Sequence, residues 1–538
     1  MALTHDCLVV GSGMTGAHAA QTLIEGGRSV LMLDGGVRPR EGAAPVPERD
    51  FLNLRETDPQ QHRYFLGDAF EGVPWGEAAH SLTPPRQHIV RGTERWLPLH
   101  SRDFQRMESL AYGGLGAGWG AGASVYTPHE LEAMGLEPAQ MLPSYRTVAD
   151  RIGLAAAFDD ATPWCSAGLG ETQEPLRMDR SIRALHASYL RHRVPLRRRG
   201  IVMGKVPMAV LTADRGDRRG TPYTDMEFWA DHGRSVYRPW MTVDALRRHG
   251  AFEYRDHLLV TSFREDAEGV TVEARSLEDG AIQTFHARQL VLGAGTLGTA
   301  RIVLRSVNRE AELPLLSNGY CIAPCLHPRM LGRVLEPNRT SLGQLEMFFD
   351  PGRGGLDVRM VSLYTYRSLL LFKLIKEAPL ALADARALLQ ALSSALVLAT
   401  INHPDHVDAG KRVRRVREPE SPTGDALSVD FAVTADEARD NADAERAILG
   451  ALGRLGCYAL KRQHMKPGAT VHYAGTLPYE ASGRPFTLAY DGRLAGTRRV
   501  RVVDGSGFRY LPANGLTLTL MANAHRIADG LCGENGHD

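Results

Sequence analysis

The sequence lacks the features that mark secreted, membrane-spanning or nucleic-acid-binding proteins. Its six cysteines are scattered through 538 residues without the spacing of a disulfide framework, which favours a reducing compartment. The formal net charge is only +1, so no overall field would attract nucleic acid or an acidic membrane. The stretch MALTHDCLVV, before the first glycine motif, has too little room for the charged and apolar regions of a signal peptide. We therefore predict a cytoplasmic protein with no nucleic-acid partner.

Long uninterrupted apolar runs are also missing. Charged and polar side chains interrupt the most apolar stretch, 378–401, so we predict no transmembrane segment. Apolar side chains nevertheless recur there at helical spacing, which predicts a buried helix or a helix at an oligomer interface, with a membrane-surface helix as the alternative. The sequence leaves homo-oligomerisation open. The recurring residues are Leu382, Ala385, Leu389, Leu392 and Leu396.

A complete nucleotide-binding pattern is present near the amino terminus. An apolar strand precedes Gly11-x-Gly13-x-x-Gly16, an alanine-rich helix follows, and a second strand ends at Asp34. In such a unit the first glycine permits a tight turn, the second lets the backbone approach a pyrophosphate, and the third packs the helix against the strand. Asp34 is placed to accept hydrogen bonds from a ribose. The pattern predicts an adenine-dinucleotide site without separating NAD from FAD.

Three further segments also contain glycines, or glycines next to short predicted strands. Six glycines lie between residues 113 and 122, a density that suits a backbone lying against a flat ligand better than a polar linker. Residues 256–306 predict a small antiparallel meander, then a buried strand, QLVLGAG at 289–295, and a helix that starts near Leu297. The tail, 502–531, predicts a strand, a loop and an apolar-faced helix.

The order of these segments resembles that of the glucose–methanol–choline (GMC) oxidoreductases, FAD enzymes that oxidise alcohols. Two motifs near the carboxyl terminus carry much of the resemblance. His472-Tyr-Ala-Gly-Thr matches the family's HxxGT, and VVDGSG at 502–507, in the tail, matches its VxDxS. The resemblance implies an α/β fold with a discontinuous, Rossmann-like FAD-binding domain and an α+β substrate domain built on an antiparallel sheet. This agrees with the two large domains expected for a chain of 538 residues.

The resemblance also implies domain boundaries and cofactor contacts. The FAD-binding domain would comprise 1–45, 95–150, 240–310 and 465–538, and the substrate-binding domain with its loops 46–94, 151–239 and 311–464. FAD would be bound non-covalently, because Gly118 stands where some members carry a tethering histidine. The implied cofactor-binding residues are Gly11, Gly13, Met14, Thr15, Gly16, Asp34, Gly113, Gly114, Gly118, Trp119, Gly120, Ala121, Val260, Gly293, Ala294, Gly295, Asp504, Gly505 and Thr517.

Alcohol oxidation removes a hydroxyl proton as well as a hydride, so the protein must supply a proton acceptor. The match to HxxGT implies that His472 is this base, and its ordinary pKa of ~6.5 predicts a rate that rises with pH through that value. Asn514 stands where the family has a second His or Asn, and its amide would orient the substrate oxygen. His464 is the next histidine to consider if His472 is not the base.

The substrate and the electron acceptor stay open. The patterns lie closer to the sugar-oxidising members, which implies a sugar- or polyol-like alcohol, with a steroid or other bulky alcohol as the alternative; O2 or another molecule would be the acceptor. Two hypotheses of other classes are a nicotinamide-dependent dehydrogenase, in which only the first motif matters, and a non-catalytic flavin-binding protein. An anionic substrate could meet the basic runs at 191–199 and 411–417, which otherwise predict solvated faces.

A short run of cysteine and histidine residues can be considered as a metal site. Cys321, Cys325 and His327 lie within seven residues, but no second Cys/His pair stands nearby in the sequence. We therefore predict no metal.

Overall fold

The computed structural model describes residues 5–39, 45–65, 67, 84–226, 230–307, 310–365 and 379–534. Short 3₁₀ turns at Pro84–Ile89, Gly114–Gly118, Pro328–Met330 and Gly505–Gly507 accompany the regular elements. The α-helices are α1 Met14–Glu25, α2 Phe51–Thr57, α3 His62–Phe65, α4 Pro128–Met134, α5 Pro138–Ile152, α6 Thr162–Cys165, α7 Arg180–Arg197, α8 Pro239–Leu246, α9 Thr296–Ser306, α10 Leu382–Leu392, α11 Ala435–Arg454 and α12 Thr517–Gly533.

The strands are β1 Cys7–Val10, β2 Val30–Leu33, β3 Leu99–His100, β4 Ile201–Lys205, β5 Phe252–Arg255, β6 Leu258–Glu265, β7 Val270–Ser276, β8 Ile282–Ala287, β9 Gln289–Leu292, β10 Glu312–Pro314, β11 Leu316–Ser317, β12 Gly319–Leu326, β13 Leu345–Phe349, β14 Arg359–Thr365, β15 Leu396–His403, β16 Asp405–His406, β17 Lys411–Arg417, β18 Asp425–Phe431, β19 Tyr458–Ala459, β20 Gln463–His464, β21 Tyr473–Ala474, β22 Val500–Val502 and β23 Tyr510–Leu511.

Five parallel strands form the first sheet, in the order β22-β9-β1-β2-β5. The side chains of β1 and β2 are buried on both faces, as expected for parallel strands covered by helices. The tail returns to this sheet, since β22 pairs with β9 and α12 packs against α1. Because the strands are parallel, Gly11, Asp34, Gly293 and Asp504 all follow strands at one edge of the sheet.

The predicted meander is confirmed. Strands β6, β7 and β8 pair antiparallel, β9 enters the parallel sheet, and α9 begins at Thr296, close to the predicted start. The N–H of Leu258, the first residue of β6, donates to the carbonyl of Asp34 over 3.0 Å. The meander is thereby attached to the end of β2.

An antiparallel sheet of seven strands forms the second large layer, in the order β19-β12-β15-β14-β13-β4 with β20 also on β12. One face packs against α7 and α11 through a core that includes Tyr189 and Ile448, and we call it the helix-covered face. On the other face Phe348 and Met360 pack against Ala513 of the tail, and we call it the tail-covered face. The sheet therefore separates two different environments.

The prediction of one helix over 378–401 is wrong for its second half. Helix α10 ends at Leu392, and Leu396–His403 is strand β15, buried along its whole length between β12 and β14. Ser393 and Ser394 interrupt the helical pattern, and tertiary strand pairing outweighs the local spacing of leucines. Nor is α10 a buried helix, because Ala385 is its only buried side chain. Within the described ranges, no helix combines the length and apolarity needed to cross a membrane.

Two very short ladders hold the chain near His472 and the tail in place. Strand β11 pairs with β21 so that Ser317 is opposite Tyr473, and this register brings the next residue, Asn318, near His472. Strand β16 pairs with β23 and fixes the chain just before the loop that carries Asn514. A last sheet, β10-β17-β18-β3, completes the fold.

The basic run 411–417 forms β17, and most of its cations are paired with carboxylates. Lys411 is buried and contacts both Asp405 and Glu437, while the exposed Arg412 pairs with Glu312 at 2.9 Å. Because Lys411 is buried, it is not part of a solvated face. Because it is paired with two carboxylates, it is not available to bind an anionic substrate. The other run, 191–199, ends α7, where most of its side chains are exposed.

Candidate active site

The glycines of the first turn lie in three different environments. A Cβ on Gly16 would lie 1.9 Å from the carbonyl oxygen of Gly11, so this glycine permits the close contact of helix and strand. Gly11 has φ +95°, and a Cβ there would lie 2.7 Å from the carbonyl oxygen of Gly293. A Cβ on Gly13 would meet nothing within 4 Å, so open space adjoins the start of α1. That arrangement suits a pyrophosphate at a helix amino terminus.

Ser12, which sequence reasoning missed, connects two of the predicted segments. Its Oγ donates to Oδ2 of Asp34 over 2.6 Å and accepts the N–H of Gly113 over 2.8 Å. Asp34 also accepts from Tyr254, whose hydroxyl lies 2.9 Å away, and from the N–H of Gly36. The carboxylate of Asp34 therefore orders the turn through protein donors. Its predicted contact with a ribose stays a prediction.

The glycine-rich segment lies against the first turn and is not a free linker. A Cβ on Gly114 would lie 3.4 Å from the Cα of Gly13, and one on Gly116 would lie 2.9 Å from the side chain of Met14. Trp119 anchors the end of the segment, because its Nε1 donates to the carbonyl of Tyr237 over 2.8 Å.

The tail and α9 are joined at the same edge. Asp504 accepts hydrogen bonds from Thr299 over 2.5 Å and from the N–H of Ser506 over 3.0 Å. Thr296 donates to the carbonyl of Tyr473 over 2.8 Å, and a Cβ on Gly505 would lie 2.9 Å from that same carbonyl. The carboxylate of Asp504 thus braces the chain, and its contact with FAD stays a prediction.

The other predicted cofactor residues lie in these same segments, and their contacts with FAD likewise stay predictions. Thr15 is in the first turn of α1, Ala294 and Gly295 precede α9, Gly118 ends a 3₁₀ turn, Gly120 and Ala121 follow it, Val260 is buried in β6, and Thr517 begins α12.

His472 is held by a residue that the sequence did not indicate. Its Nδ1 lies 2.9 Å from Oδ1 of Asn318. The amide nitrogen of Asn318 donates to the carbonyls of His403 over 2.8 Å and of Pro512 over 3.0 Å. Asn318 belongs to none of the sequence motifs described above. Only the pairing of β11 with β21 brings it beside His472.

These contacts fix the tautomer of the His472 ring. Carbonyl oxygens can only accept, so the NH2 group of Asn318 must face them and its Oδ1 must face His472. An amide oxygen accepts, so Nδ1 carries the proton and the lone pair of neutral His472 is on Nε2. Among the described residues, none donates a hydrogen bond to Nε2. His472 therefore offers a proton acceptor.

Burial lowers the pKa of His472 to about 4, because the charged imidazolium loses solvation. The sequence-based expectation of an ordinary histidine pKa is therefore corrected. His472 is neutral, and able to accept a proton, throughout the physiological range. When the ring is charged, the Oδ1 of Asn318 still accepts the hydrogen bond from Nδ1.

Asn514 lies in the tail loop that Asn318 fastens at Pro512. Its Nδ2 donates to the carbonyl of Trp164 over 3.0 Å, and its Oδ1 accepts the N–H of Gly515 over 2.9 Å. One amide hydrogen and one lone pair remain for a ligand. The observed side-chain partner of His472 is Asn318, and the pairing of His472 with Asn514 around a substrate stays a prediction.

His464 lies on the wrong face of the sheet to replace His472. Its Nε2 is 2.9 Å from Oε2 of Glu445 on α11, against the helix-covered face. Cys321 and Cys325 point to the same face and are buried in its core.

Polar side chains cross the tail-covered face of the sheet. Cross-strand pairing aligns Glu346, Ser362 and Thr400 in one row, and Asn402 follows two positions beyond Thr400. Burial raises the pKa of Glu346 to about 8, so the carboxyl is protonated at neutral pH and can donate as well as accept. This row, which we call the polar floor, is on the same face of the sheet as Phe348 and Met360, which pack against Ala513 of the tail loop.

The parallel sheet with its glycine turn, joined to a large antiparallel sheet, defines a two-domain α/β fold with a Rossmann-like nucleotide-binding layer. No protein-family model matches the chain, and no curated protein matches it. Among solved structures, the chain is similar to pyridoxine 4-oxidase from Mesorbium loti, with a TM-score of 0.59 and 15% identity over 99% of each chain. The similarity confirms the predicted fold class. The predicted domain boundaries stay a prediction.

Proposed function

We propose that this protein oxidises an alcohol to a carbonyl compound with a non-covalently bound FAD. The observation that carries the proposal is the fixed tautomer of His472, which leaves Nε2 as a proton acceptor. The next residue, Tyr473, accepts the hydrogen bond from Thr296 at the start of α9. This hydrogen bond joins the chain segment of the proposed base to α9, next to the proposed dinucleotide site.

The described residues fit FAD. The open space at Gly13 and the first N–H groups of α1 would hold the pyrophosphate. The segment from Gly113 onward would lie against the flavin ring, because it packs on the same turn and its six glycines carry no side chains of their own. Gly118 offers no nucleophile for a covalent bond, so the cofactor would be released by unfolding.

In the proposed reaction, FAD supplies the hydride acceptor that alcohol oxidation needs. Nε2 of His472 accepts the hydroxyl proton, and Asn318 stabilises the resulting imidazolium through Nδ1. The remaining hydrogen-bonding capacity of Asn514 would orient the substrate oxygen. The tail loop above this pair would limit the access of water.

We propose a hydroxyl-rich, sugar- or polyol-like substrate. The supporting observation is the polar floor of Glu346, Ser362, Thr400 and Asn402 on the tail-covered face. The stacked rings of Trp164 and Phe348, with centroids 6.4 Å apart, favour a second candidate, an alcohol on a planar ring such as pyridoxine. O2 is the proposed electron acceptor, since the structural neighbour is named as an oxidase.

Two measurements test the proposal. The purified protein should absorb near ~370 and ~450 nm, as oxidised flavin does. Sugars, polyols, ring-bearing alcohols and sterols should then be compared for anaerobic bleaching, and for peroxide formation with O2. A colourless protein that turns over with a nicotinamide would contradict the proposal. A yellow protein that no alcohol bleaches would support a non-catalytic flavin protein instead.

A further inference from the structure

A cluster of potential metal ligands lies on the helix-covered face of the antiparallel sheet, away from the tail. The Sγ of Cys321, the Nε2 of His464 and a carboxylate oxygen of Glu445 all lie within 4.8 Å of one another. His403 borders this group of three, because its Nε2 is 3.1 Å from Oε1 of Glu445, and it would have to move toward Cys321 and His464 to become a fourth ligand. We propose that these four side chains bind a divalent transition-metal ion, and that Zn²⁺ is the ion they suit best.

The sheet brings these donors together from distant parts of the chain. Cys321 and His464 are directly opposite each other on β12 and β20, while His403 ends β15, on the other side of β12. Directly opposite residues of paired strands point to one face, and His403 is two positions beyond Ile401, the partner of Cys321 on β15. All three side chains therefore point to the helix-covered face, toward α11. Glu445 projects from α11 to meet them. Four separate elements thus supply one donor each.

The spacing suits a tetrahedral ion. With bonds of about 2.0–2.3 Å, the ligand atoms of a tetrahedral zinc site lie about 3.3–3.8 Å apart. The Nε2 atoms of His403 and His464 each lie 3.1 Å from Oε1 of Glu445, and the Sγ of Cys321 lies within 4.8 Å of the ligand atoms of Glu445 and His464. Small side-chain adjustments would centre an ion among them.

The chemistry of the donor set also favours Zn²⁺ over Mg²⁺ or Ca²⁺. One thiolate, two imidazoles and one carboxylate form a nitrogen- and sulfur-rich set, which hard cations avoid. The charges of the thiolate and of Glu445 balance a divalent ion. Arg462 contacts the other carboxylate oxygen, with Nη1 3.3 Å from Oε2, and would orient Glu445 as an outer-layer donor.

Most of the cluster is buried, unlike a group of side chains that meet by chance on the surface. Cys321 and Glu445 are fully buried and His403 is 2% exposed, so the ion would be enclosed on the protein side. The His464 side chain is 62% exposed and gives the ion a path from solvent. The bound ion would fasten α11 to the sheet whose opposite face is the proposed substrate floor.

Metal uptake by the flavin-loaded protein tests the proposal. Protein incubated with Zn²⁺ and then separated from free metal should carry one ion per chain, measured by mass spectrometry of the elements. Replacement by Co²⁺ should add the ligand-field bands of a tetrahedral thiolate site, at wavelengths longer than the flavin absorption. His464→Gln and Cys321→Ser should each lose these bands, and Zn²⁺ should raise the melting temperature of wild type but of neither of these two variants.

Cys325→Ser is the matched control, because Cys325 is on the same strand and the same buried face but outside the cluster. It should bind metal as wild type does. Absence of stoichiometric uptake by wild type would overturn the proposal, and the four groups would then be an ion-paired network only. Equal uptake by wild type and His464→Gln would also overturn it. None of these readouts depends on flavin chemistry.

Discussion

The Nδ1 of His472 lies 2.9 Å from the Oδ1 of Asn318, and the amide nitrogen of Asn318 donates to two main-chain carbonyls. The orientation of one amide thus decides which nitrogen of His472 can accept a proton. The nearby Asn514, which the sequence indicated as the partner of His472, makes its observed hydrogen bonds to the backbone. Asn318 is therefore a positioning residue for the proposed base.

Asn318→Ala should slow anaerobic flavin reduction by about 10–100-fold, the usual effect of removing a side chain that orients a reactive histidine. Flavin content should be unchanged, because Asn318 is not in a proposed cofactor segment. Asn318→Asp should retain the hydrogen bond and place a negative charge at Nδ1, raising the pKa of His472 by about 1–3 units. The acid limb of the rate profile should move up accordingly. Asn53→Asp, on an exposed surface, is the control, and an unmoved limb in Asn318→Asp would contradict the assigned role.

His472→Ala should lower the rate of flavin reduction by about 10²–10⁴, the contribution of a positioned proton acceptor. In wild type, protonation of His472 abolishes the acceptor, so the rate should fall only as the pH drops through about 4 and should be flat near neutrality. Stopped-flow reduction across pH checks both expectations. A near-normal rate in His472→Ala, with the acid limb still present, would place the base elsewhere.

Gly13→Val should give a folded protein without flavin. A side chain at Gly13 meets no protein atom within 4 Å but would occupy the space proposed for the pyrophosphate. Gly16→Val should fail to fold, because a Cβ there would lie 1.9 Å from the carbonyl of Gly11. Gly450→Val, at an exposed helical glycine with open space, is the control that should retain both fold and flavin. Melting curves and the flavin absorbance of each purified variant distinguish the three outcomes.

Acid precipitation of the yellow protein should release all of its FAD into the supernatant. The reason is that Gly118, the residue at the tether position, has no side chain able to bond to the flavin. Absorbance of the supernatant and of the redissolved pellet measures the partition. Colour that stays with the pellet would reveal a covalent bond at another residue.

Glu346→Gln should stabilise the protein at alkaline pH. The folded-state pKa of Glu346, about 8, is above that of an unfolded glutamate, so its stabilising effect is present below the unfolded pKa and is lost as the pH rises through about 8. The variant removes this loss, which grows by about 1.4 kcal/mol for each pH unit between the unfolded pKa and the folded pKa of about 8 and then levels off. Melting temperatures at pH 5 to 9 should therefore diverge in favour of the variant. The exposed Glu278→Gln should show no divergence.

The local patterns of the sequence determined the parts that depend on neighbours in the chain. The turn at Gly11, Gly13 and Gly16, the meander of β6 to β8 and the helix after Gly295 were all predicted, because backbone sterics and period-two alternation act over a few residues. The resemblance to GMC oxidoreductases implied that the tail belongs to the FAD-binding domain. In the structure, β22 at the start of the tail pairs with β9 of the parallel sheet.

Tertiary structure alone decided what depends on residues far apart in the chain. Leu396–His403 became a strand because β12 and β14 pair with it on both sides, and Lys411 became buried because Asp405 and Glu437 meet it there. The partner of His472 lies 154 residues away, where no spacing rule reaches. Its pKa followed from burial, which is a property of the folded protein. Local rules act through the chain, whereas packing, desolvation and pairing act through space.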